Sequence, residues 1–308
     1  MNRRRTIKSG IAWMVIAAML ACIALSAVAA QPELPFADSQ FYSQGDYSIH
    51  YRVLPASGPR VGRIFMIHGF LSSTLCWESL AAILNQSGYD CVLADLPGFG
   101  YSTREGRDVD PIDREDLMAG LMQTLAPGEQ WLVAGHSMGG GVALNIACMH
   151  PELVESLLLY APARFEEAPV LSNFSMSVYG GLINVFTWIM IRIRPLVRML
   201  LLIASSDPVF ALRYDLSRIT DSRREPDSGS SMLYMAQRAR MVEDAAISQI
   251  AVPILLLWGE KDRFLSKDMV KGLQNALPQA RTYWLDAGHL FIETDTAETA
   301  RLTLDFLK

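Results

Sequence analysis

The chain has 308 residues, of which 51% are hydrophobic and 19% charged, and its formal net charge is −5. This length allows one large domain or two small ones, and this composition excludes intrinsic disorder because the chain can bury a sizeable core. The sequence has no basic stripe and no interleaving of basic with aromatic residues, so we expect no nucleic-acid partner.

The first thirty residues have the pattern of an export segment. A cationic head at 3–8 precedes an apolar stretch at 11–25, and small residues follow at 26–30. This order is typical of a secretory signal peptide that is cleaved at its end. Residues 11–30 are also just long enough to span a bilayer uncleaved, and lipoprotein processing at Cys22 is a third alternative. Each alternative exports the rest of the chain, to the periplasm or medium if cleaved, or to the outer side of the inner membrane if anchored.

Apolar runs and helical patterns alternate from residue 47 onward. The runs predict strands at 47–53, 63–67, 89–94, 130–134, 153–160, 252–258 and 282–285, and helices are predicted at 74–86, 114–125, 140–149, 267–277 and 291–307. The run at 47–53 alternates and is expected to form an exposed antiparallel strand. The other runs are continuous, as in strands that helices cover on both faces. The sequence therefore predicts an α/β fold with a mostly parallel, doubly wound sheet.

The alternation stops after Pro162 and resumes at Val252. We interpret 163–250 as an inserted helical cap, or lid, over the carboxyl edge of the sheet. The predicted core then comprises 31–162 and 251–308, and the signal peptide or membrane anchor comprises 1–30. Within the cap, 182–203 is strongly apolar, but its arginines and proline argue against a membrane span. These residues form ordinary lid helices or, alternatively, an apolar face that admits a lipophilic substrate or lies on a bilayer.

A serine stands in a glycine-flanked turn between a predicted strand and a predicted helix. Residues 135–139 read Gly-His-Ser-Met-Gly. A serine at the apex of such a turn has a strained backbone and projects its hydroxyl from the sheet edge. Ser137 is therefore the candidate nucleophile. The alternative is a glycine-rich turn whose serine only caps the helix.

A serine hydroxyl needs an adjacent base, and the base needs an acid that orients it. His289 follows a predicted strand and precedes a helix, which places it at the same carboxyl edge as Ser137. Asp262 follows the preceding core strand at that edge and is the candidate acid, with Glu260 and Asp286 as rivals.

Attack on a carbonyl creates an oxyanion, which preorganised backbone N–H groups must stabilise. The N–H of Met138 is one expected donor, because it lies at a helix start where the dipole also helps. The other is expected from the loop after His68 and Gly69, most directly from the N–H of Phe70.

Together these motifs resemble the α/β-hydrolase superfamily. The matching segments are His68-Gly69-Phe70 and residues 95–102, 135–140, 259–262 and 288–289. The resemblance covers about 47–308. It implies an α/β-hydrolase fold with an inserted cap and a catalytic triad of Ser137, Asp262 and His289 in that chain order.

Serine at the apex also narrows the activity that the resemblance implies, because the dehalogenases and epoxide hydrolases of this superfamily carry aspartate there. We expect a carboxylic ester hydrolase that acts on lipophilic or small acyl esters through an acyl-enzyme. Proline iminopeptidase, thioesterase and carbon–carbon bond hydrolase activities remain alternatives, as does an exported binding protein that uses the pocket as a receptor. No cofactor and no metal is expected. The residues expected to line the substrate pocket are Leu71, Phe174, Phe186 and Trp188.

Overall fold

The computed structural model describes residues 34–104, 112–164, 189, 193–221, 229–231, 234 and 242–308. The predicted signal peptide or anchor and three of the predicted pocket residues, Phe174, Phe186 and Trp188, lie outside this part of the chain. The chain divides into two compact units, Met1–Ala37 and Asp38–Lys308. Every described strand and helix belongs to the second unit.

Among the described residues, eight strands form one sheet. They are β1 (Ser39–Gln44), β2 (Tyr47–Leu54), β3 (Gly62–Ile67), β4 (Tyr89–Ala94), β5 (Trp131–His136), β6 (Val154–Tyr160), β7 (Ile254–Gly259) and β8 (Arg281–Leu285). Their order across the sheet is β1-β2-β4-β3-β5-β6-β7-β8. β2 pairs with β1 and β4 in antiparallel fashion, and every other pair is parallel. The predicted mostly parallel sheet is confirmed.

The helices connect these strands and flank the sheet. They are α1 (Glu78–Gln86), α2 (Arg114–Leu125), α3 (Met138–Met149), α4 (Arg194–Ser205), α5 (Pro208–Arg213), α6 (Ser217–Thr220), α7 (Asp244–Ile247), α8 (Lys267–Ala276), α9 (Phe291–Thr294) and α10 (Thr296–Phe306), with short 3-10 turns at Thr74–Trp77 and Pro151–Leu153. α1 packs against α10, and α2 packs against α3. Within the described ranges, no helix has the length and apolar character needed to cross a bilayer.

The central strands are continuous apolar runs because both of their faces are covered. Every residue of β5 and β7 is buried. The largest side chains that are fully buried include Trp131 and Trp258 from these two strands. Burying a large apolar side chain contributes roughly 1.5–3 kcal/mol. The sheet is therefore a rigid support for the loops at its carboxyl edge.

Three local expectations were wrong. β1 was not predicted, because its sequence Ser-Gln-Phe-Tyr-Ser-Gln is mostly polar. β2 is not exposed, since β1 and β4 flank it and Tyr47, Ile49 and His50 are buried. The predicted last helix is two helices, which break at Asp295. There the hydroxyl of Thr296 donates to the carbonyl of Ile292 at 2.9 Å and competes with regular helical bonding.

Helices α4 to α7 lie in the chain between β6 and β7, within the predicted cap. α4 and α5 share a small apolar seam made of Val197, Leu201 and Ala211, which Leu216, just before α6, completes. α7 packs against α3 of the core. The boundaries of the cap stay a prediction.

Candidate active site

Ser137 stands in a sharp turn between β5 and α3. Its φ is 52° and its ψ is −120°, a conformation that costs a residue with a side chain about 1–3 kcal/mol. Two glycines allow the turn. A Cβ on Gly135 would lie 2.3 Å from the carbonyl oxygen of Gly139, and a Cβ on Gly139 would lie 2.2 Å from that of Ile67. The turn leaves Ser137 half-buried at the carboxyl edge of the sheet.

Asp262 and His289 meet at this edge. His289 Nδ1 lies 2.6 Å from Asp262 Oδ2, and both side chains are more than nine-tenths buried. Asp262 Oδ1 accepts hydrogen bonds from the N–H groups of Phe264 at 2.8 Å and Leu265 at 3.2 Å. Burial alone would raise the pKa of Asp262, but the hydrogen bond and charge of His289 and the two N–H donors hold it below its usual value. Because a carboxylate binds Nδ1, the imidazole can receive a proton at Nε2.

The loops that carry Asp262 and His289 touch each other and the end of α4 through their backbones. A Cβ on Gly259 would lie 2.4 Å from the carbonyl oxygen of Gly288, and a Cβ on Gly288 would lie 2.4 Å from that of Ser205. The N–H of His289 donates to the carbonyl of Ala204 at 2.7 Å. His289 is therefore fixed by the core on one side and by the predicted cap on the other.

His136 supports the backbone of His289, a contact that sequence reasoning missed. In the structure its Nε2 donates to the carbonyl of His289 at 2.9 Å, and the two ring centroids are 4.9 Å apart. Burial, followed by the charge of His289, lowers the pKa of His136 to about 3, so this ring is neutral at physiological pH. The sequence signal for this contact was that His136 directly precedes Ser137.

The loop expected to supply an oxyanion donor (Gly69–Thr74), which we call the oxyanion loop, passes directly beside the serine. A Cβ on Gly69 would lie 3.0 Å from Ser137 Cβ, so no larger residue fits there without movement. Phe70 follows this glycine, and Met138 begins α3 immediately after the serine. Leu71 has a φ of 57°, which shows that the loop turns sharply. The structure therefore brings the backbone at Gly69, immediately before Phe70, close to Ser137, which Met138 follows at the start of α3.

Asp95 anchors the far end of the oxyanion loop, and sequence reasoning did not assign it this role. Its Oδ1 accepts the N–H of Thr74 at 2.6 Å. Its Oδ2 lies 2.7 Å from His50 Nδ1 and accepts the N–H of Tyr101 at 3.0 Å. Burial alone would raise the pKa of Asp95, but the hydrogen bond and charge of His50, the charge of His68 and the N–H of Tyr101 lower it. The carboxylate sits so close to Gly100 that a Cβ there would lie 1.8 Å from it.

His68 fixes the near end of the same loop. Its Nε2 accepts the N–H of Leu96 at 3.0 Å, so its proton is on Nδ1, which donates to the carbonyl of Gly69 at 2.7 Å. Buried hydrogen bonds thus hold the oxyanion loop at both ends.

The two rival acids are turned away from His289. Glu260 is exposed. Asp286 is also largely exposed and pairs with Lys261 at 2.8 Å. Asp262 is therefore the carboxylate that geometry joins to the candidate base.

The remaining candidate residues lie partly within and partly outside the described chain. Leu71 lies in the oxyanion loop, whereas the other expected pocket residues fall outside the described chain. Cys76, Cys91 and Cys148 are free thiols, of which the first two are buried. Within the described ranges, no group of His, Cys, Asp and Glu side chains is arranged to hold a metal ion.

Comparison with known families agrees with this architecture. The family described as alpha/beta hydrolase fold matches residues 62–296. The chain belongs to this family, which makes it a hydrolase by family.

Relatives of differing activity are similar to this chain. It is 26% identical over 285 residues to a 2-hydroxy-6-oxo-6-phenylhexa-2,4-dienoate hydrolase of Comamonas testosteroni, covering 85% of this chain and 92% of the relative. It is 24% identical over 240 residues to Lipase 1 of Psychrobacter immobilis, covering 77% and 74%. The crystal structure of a probable hydrolytic enzyme of Pseudomonas aeruginosa superposes with a TM-score of 0.71 at 20% identity, covering 90% of this chain and 96% of that one. The last comparison concerns the fold alone.

Proposed function

We propose that the protein is a serine hydrolase that cleaves carboxylic esters through an acyl-enzyme intermediate. The observation that carries the proposal is the 2.6 Å contact of Asp262 with His289 at the same sheet edge as the strained Ser137. A buried carboxylate bound to Nδ1 orients an imidazole so that Nε2 can take the proton of a serine hydroxyl.

The proposed reaction has two halves. Ser137 Oγ attacks the ester carbonyl while His289 takes its proton, and the N–H groups of Met138 and Phe70 stabilise the oxyanion. The tetrahedral intermediate collapses, and His289 gives the proton to the departing alcohol. Water, deprotonated by His289, then attacks the acyl-enzyme, and the acid leaves as His289 returns that proton to Ser137 Oγ.

The substrate class is inferred from the apolar groups around the site. Phe264 is 52% exposed, and its ring centroid is 5.5 Å from that of His289. The half-exposed ring of Phe70 and the neighbouring Leu71 lie on the oxyanion loop. Apolar groups around a few polar ones are typical of pockets for lipophilic ligands. This supports esters with lipophilic acyl groups, as does the similarity to a lipase.

A carbon–carbon bond hydrolase is the second candidate. The observation that favours it is the similarity to the dienoate hydrolase, which covers most of both chains. Thioesterase and proline iminopeptidase activities use the same three groups and are further outcomes of the test.

The test is a substrate panel with the Ser137→Ala variant as the blank. The panel contains p-nitrophenyl esters of graded chain length, acyl-CoAs, proline anilides and a 2-hydroxy-6-oxo-dienoate. We expect turnover of the esters with a preference for medium or long chains. Turnover of the dienoate alone would favour the second candidate. Equal turnover by the wild type and Ser137→Ala would contradict Ser137 as the nucleophile, and no turnover of any substrate above the uncatalysed rate would indicate a binding protein.

We further propose that the protein is exported and that its cap contacts a membrane. The support is the pattern of residues 1–30 together with the exposed apolar side chains of α4 and α5, among them Met199 and Leu212. Residues 168–206 contain three arginines and no acid, which suits an anionic lipid surface.

Flotation with phosphatidylglycerol vesicles tests the membrane contact. Leu212→Asp is expected to weaken binding. Val61→Asp, at an exposed surface position outside the predicted cap, is expected to leave binding unchanged. Equal flotation of the two variants would contradict a contact through the cap. Sequencing the amino terminus of protein from its native host tests cleavage of the export segment.

A further inference from the structure

Four polar side chains join the predicted cap to the core beside the candidate site, and they form what we call the cap joint. Tyr214 and Arg218 belong to the cap, and Glu78 and Glu293 belong to the core. Arg218 Nη1 donates to Glu78 Oε2 at 2.9 Å, and the hydroxyl of Tyr214 donates to Glu293 Oε2 at 3.1 Å. Arg218 also donates through Nη2 to the carbonyl of Leu75. One arginine of the cap therefore bonds both a side chain and the backbone of the core.

The core partners of the joint directly adjoin the segments that carry reacting groups. Leu75 follows the oxyanion loop (Gly69–Thr74) without a gap, and Glu78 begins α1 three residues later. Glu293 lies one helical turn after His289, in the short helix α9. Leu75 and Glu78 thus connect the joint to the oxyanion loop, and Glu293 connects it to the segment that carries His289.

The charges of the joint are shared rather than paired one to one. Glu78 is also bound by Arg52, whose Nη1 donates to Glu78 Oε1 at 2.6 Å. Burial raises the pKa of Glu293 to about 7, while the charge of Arg218 and the hydroxyl of Tyr214 act to lower it. Removing Arg218 from this partly buried cluster would leave Glu78 and Glu293 without the cation they share, which is costly. The two carboxyl groups therefore stabilise Arg218 in this position.

A second contact holds the cap on the other side of the base. Besides the bond from His289 N–H to the carbonyl of Ala204, the hydroxyl of Ser206 donates to the carbonyl of Lys261 at 3.0 Å. Lys261 immediately precedes Asp262 in the acid loop. The α4 to α6 part of the cap is thus attached to the acid loop, the base loop and the end of the oxyanion loop.

We propose that Arg218 is a positioning residue, which holds the oxyanion loop in register with the base by bonding Leu75 and Glu78 from the cap, whose Tyr214 bonds Glu293. It acts through these neighbours and does not touch the reacting atoms. The inference rests on the proposed function for its effect on rate. A misplacement of reacting groups by about 1 Å can cost on the order of 100-fold in rate.

The first test compares Arg218→Met with Arg213→Met, which removes an exposed arginine at the end of α5. With p-nitrophenyl butyrate, we expect Arg218→Met to lower kcat about 10- to 100-fold and to change KM less than about threefold, because positioning affects the transition state. Arg218→Lys is expected to recover part of kcat, and Arg213→Met to match the wild type. A general loss of folded protein would lower the fraction of active sites instead, so kcat is referred to sites titrated with a fluorophosphonate.

Hydrogen exchange separates failure of this inference from failure of the proposed function. In Arg218→Met, amides of 70–78 and of 289–294 are expected to exchange faster together, whereas Arg213→Met leaves both unchanged. Faster exchange in a protein whose wild type cleaves no ester would support the joint and contradict the proposed activity. Unchanged exchange together with unchanged kcat would overturn the positioning role. If Arg218→Met does not fold, Arg218→Lys, which keeps the charge but cannot bond both Glu78 and the carbonyl of Leu75 in the same way, gives the same comparison with a smaller expected change.

Discussion

Glu293 offers a test of the cap joint through stability alone. Its carboxyl group lies between the cap and the core, where burial raises its pKa from 4.5 to about 7. The folded state therefore binds a proton that the unfolded state releases above pH 4.5. A raised carboxyl pKa means that this group costs stability, with the cost growing between pH 4.5 and 7 and constant above pH 7.

The magnitude follows from the two pKa values. A difference of about 2.5 pKa units corresponds to about 3 kcal/mol at pH 8, and to less than about 1 kcal/mol at pH 5. Glu293→Gln abolishes the titration, while its amide oxygen can still accept the hydroxyl of Tyr214. We therefore expect Glu293→Gln to stabilise the protein by about 1–3 kcal/mol at pH 8 and by much less at pH 5.

Urea unfolding at both pH values measures this difference as a shift of the midpoint. Glu298→Gln is the matched control, because Glu298 is a surface carboxylate of α10 paired with Arg301. The control is expected to show no gain at pH 8. Equal effects of Glu293→Gln at pH 5 and pH 8, or a loss of stability at pH 8, would refute the argument that burial holds this proton.

Three further predictions concern the site and its support. Asp262→Asn keeps the shape of the side chain but loses the charge that orients His289. The kcat for an active ester is therefore expected to fall by up to about 10⁴-fold with little change in Tm. A loss under tenfold would contradict Asp262 as the acid that orients His289. Gly139→Ala places a Cβ 2.2 Å from the carbonyl oxygen of Ile67 and is expected to lower stability by about 1–3 kcal/mol in thermal unfolding. Its control is Gly272→Ala in α8, where a Cβ meets nothing within 4 Å; this change is expected to be neutral or to stabilise by up to about 1 kcal/mol. Asp95→Asn breaks a buried network and is expected to cost about 3–5 kcal/mol in urea unfolding; a cost below about 1 kcal/mol would show that the network does not hold the oxyanion loop.

The parallel part of the fold could be predicted because its signals are local. Helix α2 was expected at 114–125, where it is found, since an apolar pattern with helical spacing begins after the acidic first turn. The continuous apolar runs predicted β3, β4 and β7 within a few residues because buried strands need no polar face. β1 has no such signal, and its pairing with β2 decides its structure.

The candidate site, too, could be predicted only in part from the sequence. Ser137, Asp262 and His289 each follow a strand of the parallel sheet, so strand order alone predicts that they share one edge, and the structure brings the last two into contact. Their catalytic roles stay a proposal. The cap joint could not be predicted, because Arg218 and Glu78 are 140 residues apart and no periodic pattern connects them.

Mass spectrometry of the fluorophosphonate adduct tests the central claim most directly. We expect one phosphonyl group per chain, located on the peptide that contains Ser137, formed in the wild type and absent in Ser137→Ala. An adduct on another residue, or a wild type that stays unmodified while it turns over an ester, would contradict the assignment of Ser137 as the nucleophile.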